Sequence, residues 1–78
     1  MNETTVRTVH ADATAVAAAV GPDNTPEVRT RVEGDAVVTT IERETLGGLR
    51  ATLEDYLRAL AVADETVRLV RATDNVDP

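Results

Sequence analysis

The chain has 78 residues and a net charge of −6, with 14 acidic residues against eight basic ones, all of them arginine. The absence of cysteine excludes disulfides and thiolate zinc sites, and the single histidine excludes a site built from several histidines. No apolar run approaches the 18 or so residues of a membrane span, and the N-terminus lacks the regions of a signal peptide, so the sequence predicts a cytoplasmic protein with no membrane contact.

The acidic, lysine-free composition favours a cytoplasm that contains molar salt. At low salt such a surface repels itself and destabilises the compact state. At about 1 M salt the screening length falls to about 3 Å, and this repulsion largely disappears. A GC-rich genome also replaces lysine with arginine, but it does not require the acidic excess, so we expect a salt-loving organism.

The first two elements are predicted to be a strand and a short helix. Residues 4–11 are rich in Thr and Val, as is typical of strands. Asp12 lies where an N-cap belongs, in front of a helix over residues 13–20. Gly21 followed by Pro22 is a stop signal, and residues 21–26 are predicted to form a turn.

A β-hairpin is predicted over residues 27–33 and 36–42, with Gly34-Asp35 as its two-residue turn. The turn sets the pairs Val32–Val37, Thr30–Thr39 and Val28–Ile41. Each pair shares one face, which is the apolar one. The opposite face carries Arg29, Arg31, Val38 and Thr40.

A long helix is predicted from Leu46 to about Ala72, with Thr45 as a possible cap. Its apolar residues alternate in steps of three and four: Leu46, Leu49, Leu53, Tyr56, Leu60, Ala63, Val67 and Val70. Such a helix is about 40 Å long, whereas strands of seven residues are about 23 Å long. The helix should overhang the sheet, unless it breaks at residues 61–64 and Asp64 caps a second helix.

The element order β-α-β-β-α predicts one α+β domain over residues 1–78, with a polar tail from about residue 73. The natural packing is a three-stranded antiparallel sheet with both helices on one face. A core this small gains from a partner, and a three-stranded sheet has edges that a second copy can pair with. We therefore expect a homodimer.

Two sets of residues are candidate binding surfaces. The apolar stripe that continues past the sheet predicts a partner surface made of Leu53, Tyr56, Leu57, Leu60 and Val67. Arg29 and Arg31 share a face of one strand and could hold RNA phosphates, and Arg7 joins them if Val6 and Thr8 face the helices. The alternative is that these arginines pair with Glu27, Glu33 or Glu42.

The sequence shows little sign of catalysis. Serine is absent, and Gly47-Gly48 lacks the spacing and the lysine of a phosphate loop. Acidic neighbours such as Glu54-Asp55 diverge around a helix and do not converge on one atom. A lone histidine such as His10 is more often structural or exposed than catalytic. No catalytic residue, metal or cofactor is predicted.

Several segments resemble the Pcc-type KEOPS subunit of haloarchaea: residues 22–27, the hairpin 32–43, residues 47–52 and residues 55–57. The resemblance covers about residues 5–70 and includes the step Leu49-Arg50-Ala51 at the start of the last helix. Many relatives have an asparagine near the middle of that helix, where this chain has Arg58-Ala59-Leu60. This difference leaves open a paralogue with altered partners.

The resemblance implies a non-catalytic subunit that dimerises and bridges two copies of the catalytic threonylcarbamoyl-transferase subunit of KEOPS, docking on it through the helices. The complex makes threonylcarbamoyladenosine on tRNA, and the small dimer assists tRNA engagement. The metal and ATP chemistry would belong to the partner. Two alternatives stay open: a stand-alone small RNA-binding module and an unrelated small dimeric interaction protein.

Overall fold

The computed structural model of the chain describes residues 1–21 and 27–74. Its elements are β1 (Asn2–Val9), α1 (Ala13–Val20), β2 (Val28–Glu33), β3 (Ala36–Arg43) and α2 (Leu46–Asp74). This order and the antiparallel three-stranded sheet confirm the predicted β-α-β-β-α fold. The predicted turn at residues 22–26 and the part of the predicted polar tail beyond residue 74 lie outside the described residues.

The sheet has the strand order β1-β3-β2, so the last strand of the chain lies in the middle. The predicted hairpin register is confirmed, with Val32 opposite Val37, Thr30 opposite Thr39 and Val28 opposite Ile41. Gly34 has a φ of 62°, a conformation that glycine adopts without strain and that this turn requires. Strand β1 begins and ends two residues earlier than predicted.

The two faces of the sheet differ in burial. On the helix side, Val6 of β1, Val28 of β2 and Ile41 of β3 contribute to the core. Exposure alternates along β1, which places Arg7 on the open side in one cross-strand row with Val38 and Arg31. The condition under which Arg7 joins the other open-face arginines is therefore met.

Helix α1 has its predicted bounds. The Asp12 carboxylate accepts a hydrogen bond of 3.1 Å from the Ala15 backbone N–H, as an N-cap does. The Gly21 N–H donates to the Ala17 carbonyl at 3.2 Å. Ala13 and Val16 are buried against the rest of the domain, so this short helix is held by its cap and by one apolar face.

Helix α2 is unbroken over 29 residues, so the alternative of a break at residues 61–64 is wrong. The Thr45 hydroxyl accepts a hydrogen bond of 2.9 Å from the Gly48 N–H. A Cβ at position 48 would lie 2.9 Å from that same hydroxyl. Glycine at position 48 therefore leaves room for the cap. With a length of about 43 Å, the helix extends past strands of about 27 Å.

A chain of three hydroxyl groups joins the sheet to α2 inside the core. The Thr30 and Thr39 hydroxyls lie 2.9 Å apart, and Thr39 also forms a hydrogen bond with the Tyr56 hydroxyl. Thr39 is fully buried, so these bonds offset the cost of removing it from water. The hairpin register predicted the threonine pair, but it gave no sign of the tyrosine partner.

Candidate functional site

An open groove of about 560 Å³ runs between α1 and one flank of α2. It is lined by Ala19, Asp55, Arg58, Ala59, Val62, Ala63 and Thr66. The Val62 residue is 62% exposed, and Leu69 is exposed to the same extent. Because residues seven apart lie on one side of a helix, Val62 and Leu69 form a single apolar flank beside the groove. The small side chains of Ala19 and Ala59 leave room for another helix to pack there.

Val62 and Leu69 were not predicted from the sequence, because they lie outside the apolar stripe of α2. Val62 is about 120° around the helix from Tyr56, and the positions between Val62 and Leu69 on this flank are the polar Glu65 and Thr66. The signal that could have found them is the seven-residue spacing of two large apolar residues beside small ones. A pattern of only two residues is easily overlooked next to the longer apolar stripe of the same helix.

The predicted partner stripe is divided between core and surface. Tyr56 and Leu60 are buried in the core of the chain itself, and Leu53 and Val67 pack against that core while partly buried. Leu57, in contrast, is 44% exposed. Most of the stripe therefore stabilises the chain's own fold. Contact of these five side chains with a partner stays a prediction.

The open face of the sheet carries arginines beside glutamates. Arg29 Nη2 donates a hydrogen bond of 2.8 Å to Glu42, and Arg31 Nε donates one of 2.7 Å to Glu33. Both arginines therefore form ion pairs with glutamates, as the alternative interpretation of the sequence predicted. Arg7 forms no ion pair with any residue that the structure describes.

The Arg29–Glu42 pair alters the ionisation of both partners. The hydrogen bond from Arg29, and next the one with Glu3, lowers the pKa of the Glu42 carboxyl, while the bond to Glu42 raises the pKa of Arg29. Because the pKa of Glu42 is lower in the folded state, the stabilisation that this pair contributes is present at pH values above the ordinary pKa of a carboxyl group. It is lost as the pH falls through the lowered value. At neutral pH the Arg29 charge is thus compensated locally.

A Thr-His-Asp chain lies where β1 ends. Thr8 Oγ1 is 2.7 Å from His10 Nε2, and His10 Nδ1 is 2.7 Å from Asp64 Oδ1. This order of groups is that of a hydrolase triad. However, the His10 side chain is only 8% exposed, and none of the three described grooves is lined by these residues. We therefore interpret the chain as structural, which agrees with the first of the two roles predicted for His10.

Two further observations concern residues 1–21 and 27–74. Within these ranges no group of three or more His, Cys, Asp or Glu side chains is placed to hold a metal ion. In the same part of the chain, no helix has the length and apolar character needed to cross a membrane. The features with binding potential are therefore the groove beside the Val62–Leu69 flank and the open face of the sheet.

Comparison with known protein families gives a match over most of the chain. The family model described as transcription factor Pcc1 matches residues 6–68, a span that reaches from β1 into the outer part of α2 and contains the groove. A search of curated proteins found no match.

Proposed function

The chain belongs to the Pcc1 family of KEOPS subunits, and from this membership we propose that it is the dimerisation subunit of that complex. Two copies bind each other and bridge two copies of the catalytic threonylcarbamoyl-transferase subunit. The assembly modifies tRNA in the cytoplasm of a salt-loving archaeon, and the catalytic chemistry belongs to the larger partner. The mass of the complex formed with that partner tests the proposal.

The observation that carries this proposal is the exposed apolar flank of α2 beside the groove. The large apolar side chains of Val62 and Leu69 are exposed to water although the hydrophobic core of the chain is small. Exposed apolar patches of this kind mark interaction sites. Apolar anchors at helical spacing beside a groove suit a helix of the partner. The ion pair between Arg58 and Asp55, at 3.2 Å, supplies a polar rim.

We propose that the two copies join through β1, which forms one edge of the sheet. An edge strand can add a strand from a second molecule through its backbone N–H and C=O groups. An antiparallel β1–β1 pairing centred on Thr5 would place Arg7 of each copy opposite Glu3 of the other. Opposite charges directly across a strand pair stabilise it. Such a dimer presents two docking grooves on one particle.

The open-face arginines are proposed to help the complex hold tRNA. Dimerisation through β1 would bring two sets of Arg7, Arg29 and Arg31 onto one continuous face. Guanidinium groups bind phosphate through bidentate hydrogen bonds, and such contacts position RNA without reading its sequence. Because the net charge of −6 opposes binding by the chain alone, we expect binding to need the assembled complex.

The double substitution Arg29→Gln/Arg31→Gln is expected to weaken tRNA binding by the assembled complex. Each lost phosphate contact should reduce the slope of log affinity against log salt by about 1. The matched control Arg50→Gln/Arg68→Gln removes the same charge from exposed sites on α2. Filter binding over a series of salt concentrations measures both variants.

Equal losses in the two variants, or no loss in either, would contradict a role for the open face. Tight tRNA binding by the chain without its partners would instead favour the stand-alone RNA-binding module.

A further inference from the structure

Two chains of hydrogen-bonded side chains, besides the single bond from Arg43 to Thr52, fasten α2 to the rest of the domain, and they act at different points of the helix. The Thr30–Thr39–Tyr56 chain reaches the inner part of α2 from the middle of the sheet. The Thr8–His10 chain reaches Asp64 from the end of β1. Asp64 lies about two turns further along the helix than Tyr56, so each chain holds a different segment.

Beyond Asp64 the helix has few other attachments. No described side chain of residues 65–72 is fully buried. Val67 packs partly against the core, and Arg71 approaches Asp12 at 3.5 Å. Val70 is exposed. A segment with so few buried contacts has little besides the His10–Asp64 bond to keep it on the domain.

The hydrogen-bonding groups of His10 explain why the His10–Asp64 bond contributes to holding this segment. A carboxylate only accepts hydrogen bonds, so Nδ1 of His10 donates to Asp64. Nε2 forms a hydrogen bond with the Thr8 hydroxyl, a group that can both donate and accept. Both ring nitrogens are therefore satisfied in a site that is nearly closed to water. Bonds to a charged group are stronger than neutral ones, and the loss of the ring would leave Thr8 without this partner.

We propose that the Thr8–His10–Asp64 chain is a latch that holds the outer segment of α2, residues 64–74, on the domain. When the latch is broken, this segment separates while the sheet, α1 and the inner part of α2 stay folded. Because Leu69 belongs to the docking flank, the latch also controls whether the outer half of that flank is presented as helix. This second consequence rests on the proposed function, whereas the latch itself does not.

Hydrogen exchange of the 78-residue chain in about 1 M salt tests the latch through the substitution His10→Leu, which replaces the imidazole ring with an apolar side chain of similar size that forms no hydrogen bond. Amides of residues 66–72 should exchange at least about tenfold faster, the factor that corresponds to about 1.4 kcal/mol. Amides of β3 and of residues 49–60 should change by less than about twofold, since they lie outside the released segment.

The control Thr30→Val removes a hydrogen bond from the other polar chain and should not accelerate the outer segment selectively. A uniform acceleration in His10→Leu would overturn the latch, because it would indicate an ordinary contribution to global stability. Unchanged exchange in residues 66–72 would overturn it as well. If His10→Leu fails to fold, Asp64→Asn weakens the same bond and should give a smaller acceleration confined to the same residues; a uniform change, or none, in that variant counts against the latch.

Discussion

Replacing Leu60 with alanine is expected to lower the free energy of unfolding by about 2–5 kcal/mol, as truncations of buried leucines do. Leu60 is 5% exposed and belongs to the core cluster that α2 forms with α1 and the sheet. A loss of this size is a large part of the 5–15 kcal/mol that is typical of small domains. Denaturant titration in constant molar salt measures it.

Leu57→Ala is the matched control, because it makes the same change three residues away on the same helix. Leu57 is 44% exposed and lies outside the core cluster, so we expect a cost below about 0.5 kcal/mol, as for ordinary surface substitutions. If Leu57→Ala lowered the free energy of unfolding as much as Leu60→Ala, the assignment of the side of α2 that faces the core would be wrong. The comparison also separates the two parts of the predicted partner stripe, since Leu60 stabilises the chain itself.

The second expected result concerns docking. Val62→Asp should weaken binding to the KEOPS catalytic subunit by about 30-fold, which corresponds to the 2 kcal/mol of an interface hot spot. A charge placed in the centre of an apolar contact loses its water and gains no partner. Because Val62 is largely exposed, the substitution should leave the unfolding transition nearly unchanged. Titration calorimetry in molar salt gives the affinity.

Ala61→Asp is the control for docking. It adds the same charge at the neighbouring position, which is also exposed but points about 100° away around the helix. We expect less than a threefold change in affinity, as for residues outside an interface core. If the two substitutions weakened binding equally, either the interface would lie elsewhere or the loss of affinity would come from the change in net charge alone.

The parts of the fold that sequence reasoning predicted are those set by local rules. The Gly34-Asp35 turn fixes the register of the hairpin, and alternation then assigns every hairpin side chain to a face. Asp12 and Thr45 mark the starts of the two helices because their side chains can accept backbone N–H groups. These signals depend on residues a few positions apart, so no knowledge of the tertiary structure was needed.

The parts that could not be predicted depend on contacts between distant residues. His10 and Asp64 are 54 positions apart, and nothing in the local pattern of either residue indicates the other. The central place of β3 also follows from the pairing with β1, which no turn specifies. The Val62–Leu69 flank was overlooked because the longer apolar stripe of α2, most of which packs on the core, determined the predicted partner surface.

The most direct measurement is the mass of the complex that the chain forms with the KEOPS catalytic subunit, determined by light scattering or sedimentation in about 1 M salt, where surface charges are screened. We predict a particle that contains two copies of each protein, and a dimer when the chain is measured alone. A particle with one copy of each would contradict the bridging role. Failure of the two proteins to associate at micromolar concentration would contradict the assignment of the chain as the KEOPS dimerisation subunit.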